Sequence, residues 1–225
     1  VEVDSVSRRG LDELVQKIDE ISEDIEEKKT DAPSRMSIDR VFSLKGFGTI
    51  VTGTLIEGKI SVDDEMTIYP SEKKVKVRNL QVHGCDVKTA YAGQRTAINL
   101  SNIKVSEIQR GDVIAQTGSV EESMMIDVNI SLVEHCKKSL KHWDRIRIFH
   151  GTKQILCRIV PLNEDEIQYG ESGYAQLRLE EKIVAKKGDR FIIRSYSPMD
   201  TIGGGVIIDT APKKHKIYDE SVIEA

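Results

Sequence analysis

No run of apolar residues in this 225-residue sequence approaches the roughly 18 needed to cross a bilayer, so no helical membrane anchor is expected. The opening residues, Val1 to Gly10, lack the apolar core and cleavage site of a secretory signal. Cysteine is sparse. Cys85, Cys136 and Cys157 are odd in number and far apart, which argues against a disulfide framework and fits a reducing cytoplasm. All three are expected as small buried residues. No GxxxxGK[ST] loop and no NKxD-type guanine motif occurs. The five histidines, His83, His135, His142, His150 and His215, never fall at metal-ligand spacing with cysteine or one another, so no metal is expected. No serine or cysteine sits in a nucleophile elbow, and no acid pair stands out. These absences point away from a stand-alone enzyme.

The charge that is present is unevenly placed. The net charge is −4, yet residues 1–31 alone hold 11 acids against 5 bases. The remainder is slightly basic, which permits a polyanionic partner. Gly10 to Lys29 reads as one amphipathic helix, with Leu11, Leu14, Val15, Ile18, Ile21 and Ile25 at helical spacing. Ser7 is a candidate cap, and Lys28 and Lys29 are expected in the last turn, where they suit the helix dipole. Asp31-Ala32-Pro33-Ser34 then stops the helix. A single helix cannot bury its own stripe. The stripe is therefore expected to belong to a further domain, and a start at Val1 agrees with a fragment.

From Arg35 onward the pattern changes to short strands with turns every 8–12 residues, the mark of antiparallel barrels. The first set runs Met36–Leu44, Thr49–Ile56, Glu65–Tyr69, Lys74–His83, Arg95–Leu100 and Val113–Gln116. The second runs Met125–Leu132, Asp144–Phe149, Ile155–Pro161, Tyr174–Leu179, Arg190–Ser195 and Gly205–Ile208. The expected fold is mainly β: two consecutive antiparallel β-barrels preceded by one α-helix. The expected units are residues 1–33, helix and linker; 34–118, first barrel; 119–211, second barrel; and 212–225, a charged tail. Gly203-Gly204-Gly205 reads as a tight corner before the last strand rather than a phosphate cradle, because no helix follows it.

Two places could bind a ligand. Asp39-Arg40 and Arg95 offer guanidinium forks for an anion. Adjacent strand residues point to opposite faces, so Asp39 and Arg40 share a pocket only at a strand end or a bulge. The competing reading is a plain cross-strand ion pair, worth about 0.2–1 kcal/mol if exposed. The second place is Lys137-Lys138-Ser139-Leu140-Lys141-His142, followed by Trp143, Arg145 and Arg147. Lys138, Lys141 and Arg145 could touch a phosphate backbone, or simply form a solvated loop.

Val41 to Thr54, VFSLKGFGTIVTGT, resembles the opening of the second domain of translational GTPases such as elongation factor Tu. Ala92-Gly93-Gln94, Gln109 to Ala115 and Gly188 to Arg194 resemble later landmarks of domains two and three, and VEVDSVSRRGLDEL resembles the close of the GTPase domain. Asp4-Ser5 departs from that family's usual Ser-Ala. Ile38-Asp39-Arg40, Leu80 to Gly84, Ala92 to Leu100 and Asp200 to Gly205 look like the bacterial selenocysteine-specific elongation factors. Pro212 to Lys216 is similar to the lead into that family's C-terminal winged-helix part.

The resemblance implies a barrel pair that grips selenocysteinyl-tRNA, with the ribosome and a GTPase domain of the same chain as partners. It implies GTP and magnesium as cofactors of the full-length factor and none for this segment. Asp39, Arg40 and Arg95 match the family's proposed selenol pocket. A selenol is largely ionised at neutral pH, so buried cations would favour it over the neutral hydroxyl of serine. Two alternatives stay open: domains two and three of a general elongation factor, or a structural barrel pair that transmits the GTPase switch.

Overall fold

A computed structural model describes residues 1–23, 25, 28–136 and 138–215. Helix α1 spans Leu11–Glu23 and buries none of its residues. Val15, Ile18 and Ile21 are 54–56% exposed, so the apolar stripe is unpartnered. Two expectations need correction. The helix ends at Glu23, with no basic residue in its last turn, so Lys28 and Lys29 lie beyond it. Ser7 does not cap it either. Its hydroxyl donates to Asp4 at 2.6 Å, and the first helical bond runs from Leu14 N–H to Gly10 C=O. The chain past the helix instead lies on the first barrel, where Gly58 N–H donates to Lys29 C=O at 2.8 Å.

The first barrel carries strands β1 (Arg35–Leu44), β2 (Gly48–Glu57), β3 (Lys59–Ser61), β4 (Glu65–Tyr69), β5 (Lys73–Val82), β6 (Cys85–Val87), β7 (Thr89–Tyr91), β8 (Arg95–Ser101) and β9 (Val113–Gln116). The antiparallel order β4-β9-β1-β2-β8-β5 closes on itself through a β4–β5 pairing, leaving β6 outside the ring. Period-two alternation drives the closure. Along β5, Val75, Val77, Leu80 and Val82 point inward while Lys73, Lys74, Lys76 and Arg78 face solvent, the phase slipping by one residue at the irregularity between Val77 and Asn79. Met36, Ile38, Val51, Leu55, Ile98 and Ile114 fill the same interior.

The second barrel carries β10 (Glu122–Leu132), β11 (Leu140–Lys141), β12 (Arg145–His150), β13 (Lys153–Pro161), β14 (Glu166–Ile167), β15 (Ser172–Val184), β16 (Arg190–Ser195) and β17 (Thr201–Asp209). Its ring is β10-β15-β13-β12-β16-β17, closed by β10–β17. The Gly203–Gly205 triplet is not a corner. It lies inside β17, paired on both sides. A Cβ on Gly205 would stand 2.2 Å from Asn129 O, one on Gly203 2.4 Å from Ser131 O, and one on Gly204 2.8 Å from Phe191 O. The glycines let neighbouring backbones approach. The cysteines also differ from expectation: Cys157 is buried, Cys136 half-buried and Cys85 exposed.

The two barrels are fastened together. Tyr69, Val113 and Ala115 of the first barrel cluster with Val120 and Val184. Beside them Arg35, only 2% exposed, forks onto Asp189 at 2.5 and 2.7 Å and also reaches Glu57 at 2.6 Å. Lys186 meets Glu57 at 2.7 Å, and His150 Nε2 lies 2.9 Å from Asp189. Burial opposes ionisation of Asp189, but hydrogen bonds from Arg35 and His150 prevail and hold its carboxyl well below the usual range. Thr152 Oγ1 donates to Ile38 C=O at 2.7 Å, close to the candidate site on β1.

Candidate functional site

The site begins with a fault in a strand. Ile38 pairs with Gly53, and the next pair is Arg40 with Thr52, so Asp39 is an extra residue on β1. Ile38 and Val41 both pack inward on the barrel core. The two residues between them, Asp39 and Arg40, are therefore both turned outward, which a regular strand forbids. β8 supplies the third member, because Arg95 pairs with Thr54 at the same end of the ring.

Arg95 and Asp39 meet as a forked ion pair, Nη1 to Oδ2 at 2.5 Å and Nη2 to Oδ1 at 3.2 Å. Thr52 Oγ1 donates to Asp39 Oδ1 at 2.6 Å. Partial burial would raise the Asp39 pKa, but hydrogen bonds from Arg95 and Thr52 lower it, with Arg95 and Arg40 adding favourable charge. The Asp39 side chain is 20% exposed and that of Arg95 54%, so the cation is presented to solvent while its carboxylate partner is held behind it. Arg40 is exposed beside them.

A depression of about 230 Å³ opens next to this trio, lined by Thr52, Gln81, His83, Gly84, Arg95 and Ala97. Its rim is a two-residue hairpin between β5 and β6, His83-Gly84, with φ of 52° and 79°. Two positive φ values in a two-residue loop match the twist of the flanking strands. A smaller hollow of about 90 Å³ continues from it past Gln81 and Ala97 to Leu44, Phe47 and Asn99. The buried Oδ1 of Asn99 has no hydrogen-bond partner there. Composition alone could not have found Gln81, Phe47 or Asn99. Gln81 and Asn99 lie on β5 and β8, Phe47 lies in the β1–β2 turn, and the three converge only once β2, β8 and β5 are neighbours.

The second candidate does not gather in the same way. Lys137 lies outside the described residues. Lys138 is exposed, Lys141 stands 3.5 Å from Glu166, and Arg145 forks onto Glu180 at 2.7 and 2.6 Å. Among the described residues no helix is long and apolar enough to cross a membrane.

Two closed six-stranded antiparallel barrels, the first matching the family profile "Elongation factor Tu domain 2" over residues 48–115, are those of a translational elongation factor. Residues 127–214 match the profile "Selenocysteine-specific elongation factor, beta-barrel domain". The chain belongs to the selenocysteine-specific elongation factor family. It is 37% identical over 222 residues to the selenocysteine-specific elongation factor of Desulfomicrobium baculatum, covering 99% of this chain and 35% of that one. The factor of Methanocaldococcus jannaschii is 28% identical, covering 99% and 54%. Apo elongation factor SelB of Methanococcus maripaludis superposes with a TM-score of 0.82 at 26% identity, covering 94% of this chain and 50% of that one. That relative has also been solved with the GTP analogue GppNHp. The chain thus spans about a third to a half of the relatives it matches.

Proposed function

We propose that this chain is the aminoacyl-tRNA-binding part of a selenocysteine-specific elongation factor, a cytoplasmic protein that delivers selenocysteinyl-tRNA to the ribosome. The observation that carries the reading is the bulge at Asp39, which turns Asp39 and Arg40 to the same side and lets Arg95 close the group. In this reading Arg40 and Arg95 favour the selenolate, and Asp39 orients Arg95. Two arginines against one aspartate leave a net positive site, suited to an anion and poor for a neutral seryl hydroxyl. In this reading Lys138, Lys141 and, on β12, Arg145 would contact the phosphate backbone.

Residues 34–118 and 119–211 act as domains two and three. Residues 1–33 close a GTPase domain of the same chain, whose body would cover the bare stripe of α1, and residues 212–225 lead toward a C-terminal region. GTP and magnesium belong to that GTPase domain. The barrel pair should show no GTP turnover above a buffer control, and turnover in a clean preparation would contradict this.

One observation favours a second reading: Arg95 is already satisfied by Asp39, so the pair could merely tie β8 to β1. The experiment that separates the two uses the full-length factor, wild type and Arg95→Ala, with selenocysteinyl-tRNA and seryl-tRNA. A selective loss for selenocysteinyl-tRNA of roughly tenfold or more supports the pocket. Equal loss, or none, overturns it.

A further inference from the structure

We infer that the turn between β12 and β13 of the second barrel is a positioning element for the bulge on β1, and that Thr152 is the residue through which it acts. The inference rests on the selenol-pocket reading above and extends that site to a residue of the other barrel. Three observations carry it.

The first is the atom that Thr152 holds. Its Oγ1 donates to Ile38 C=O at 2.7 Å. That oxygen belongs to the same planar peptide unit as the Asp39 N–H. Holding the oxygen therefore sets the plane from which Asp39 leaves the strand, at the step where the register slips between Ile38 and Arg40. The same oxygen accepts from Gly111 N–H at 2.9 Å, and Ile38 N–H donates to Asp112 C=O at 2.8 Å. The regular pairing of β1 with β9 has ended just before, at Ser37 and Val113. A bulge disrupts its ladder locally. Here the support comes from the loop before β9 and from the other barrel.

The second is the closeness of the approach. His150 pairs with Lys153, so Gly151-Thr152 is a two-residue turn, and Gly151 has a φ of 54°. A Cβ on Gly151 would stand 2.7 Å from Ser37 Oγ, next to Ile38. A Cβ on Gly111, whose φ is 96°, would stand 2.9 Å from Lys153 Cβ and Cγ. Glycine at these two places lets the turn sit against β1 on one side and the loop before β9 on the other.

The third is the anchoring of both partners. The turn leaves from His150, which is buried and whose Nε2 lies 2.9 Å from Asp189. Arg35, on β1, forks onto the same carboxylate. Past the turn, Lys153 Nζ donates to Lys182 C=O at 2.8 Å. The Thr152 hydroxyl is thus presented from a fixed support, as a group that orients a binding site must be. The depression beside Arg95 is lined by first-barrel residues alone. Its geometry nevertheless depends on the second barrel, through the Ile38–Asp39 peptide.

The test uses the full-length factor as wild type, Thr152→Val, Thr152→Ser and Arg95→Ala. Two quantities are read: the affinity ratio for selenocysteinyl-tRNA over seryl-tRNA, and amide hydrogen exchange by mass spectrometry across β1 and β15. Valine keeps the shape of threonine and removes the hydroxyl. Thr152→Val should lower the ratio about fivefold and speed exchange in β1 by a similar factor, leaving β15 unchanged. Thr152→Ser keeps the donor and should stay within about twofold of wild type in both. A hydroxyl that merely adds stability would not move the ratio. An unchanged ratio in Thr152→Val beside a reduced one in Arg95→Ala would overturn the inference and leave the pocket reading standing. Exchange that rises equally in β1 and β15 would also overturn it, as general loosening. An unchanged ratio in Arg95→Ala would overturn the pocket reading and the inference together.

Discussion

The two barrels share a plan and differ in what they expose. Each is a six-stranded antiparallel ring around a core of Ile, Leu and Val. The first bulges β1 at Asp39 and gathers three charged residues beside a depression of about 230 Å³. The second keeps β12 and β13 in unbroken register and carries five arginines on its outer face. A concave, defined group suits recognition of one chemical moiety. The same fold therefore presents a pocketed charge cluster in one copy and a row of arginines in the other.

The two barrels meet at the seam around Arg35, where removing one side chain should do the most damage. Removing its guanidinium would leave Asp189 to His150 and the Lys186 N–H, and Glu57 to Lys186 Nζ, in a largely buried seam. Arg35→Ala should cost about 3–5 kcal/mol. Urea unfolding should then show the barrels separating into two transitions, whereas a loss under about 1 kcal/mol would mean the seam is held by its apolar cluster alone.

Acid probes the same seam more gently. The Asp189 carboxyl titrates below its ordinary value when folded. A depressed pKa contributes stability above the unfolded value, near 3.9, and loses it as pH falls toward the folded value. Wild-type stability should therefore decline below about pH 4, and Asp189→Asn should remove that part of the decline. An identical acid profile in the variant would exclude Asp189 as a source.

Smaller effects should separate the glycines of the two barrels. Gly205→Ala in the second would push a methyl into Asn129 C=O and should cost about 2–3 kcal/mol. Gly46→Ala in the first has open space around it but a φ of 89°, and should cost about 1 kcal/mol from backbone strain alone. Thermal or urea melts that reverse this order would contradict the packing account of β17.

Much of this architecture was legible in the residues, because it rests on local alternation. Glu65–Tyr69, Val113–Gln116 and Arg190–Ser195 fall as strands where the pattern put them. What was not legible depends on neighbours distant in sequence. The glycine triplet reads as a corner until Asn129, Ser131 and Phe191 are known to press on it. The two-residue β11 and β14 carry too few residues for any period to show. Asp39 and Arg95 are visible as candidates, but their union depends on a bulge that only the pairing of Ile38 and Arg40 across β2 reveals. Arg35 and Asp189 stand 154 residues apart, and the Arg147–Arg194 pair exists only once the second ring has closed.

The most direct test of the first barrel's charge cluster is a pair of affinities: full-length wild type and Arg95→Ala, each with selenocysteinyl-tRNA and seryl-tRNA at fixed salt. Arg95→Ala should reduce the preference for selenocysteinyl-tRNA by roughly tenfold. An unchanged preference in Arg95→Ala would contradict the proposed role of the cluster.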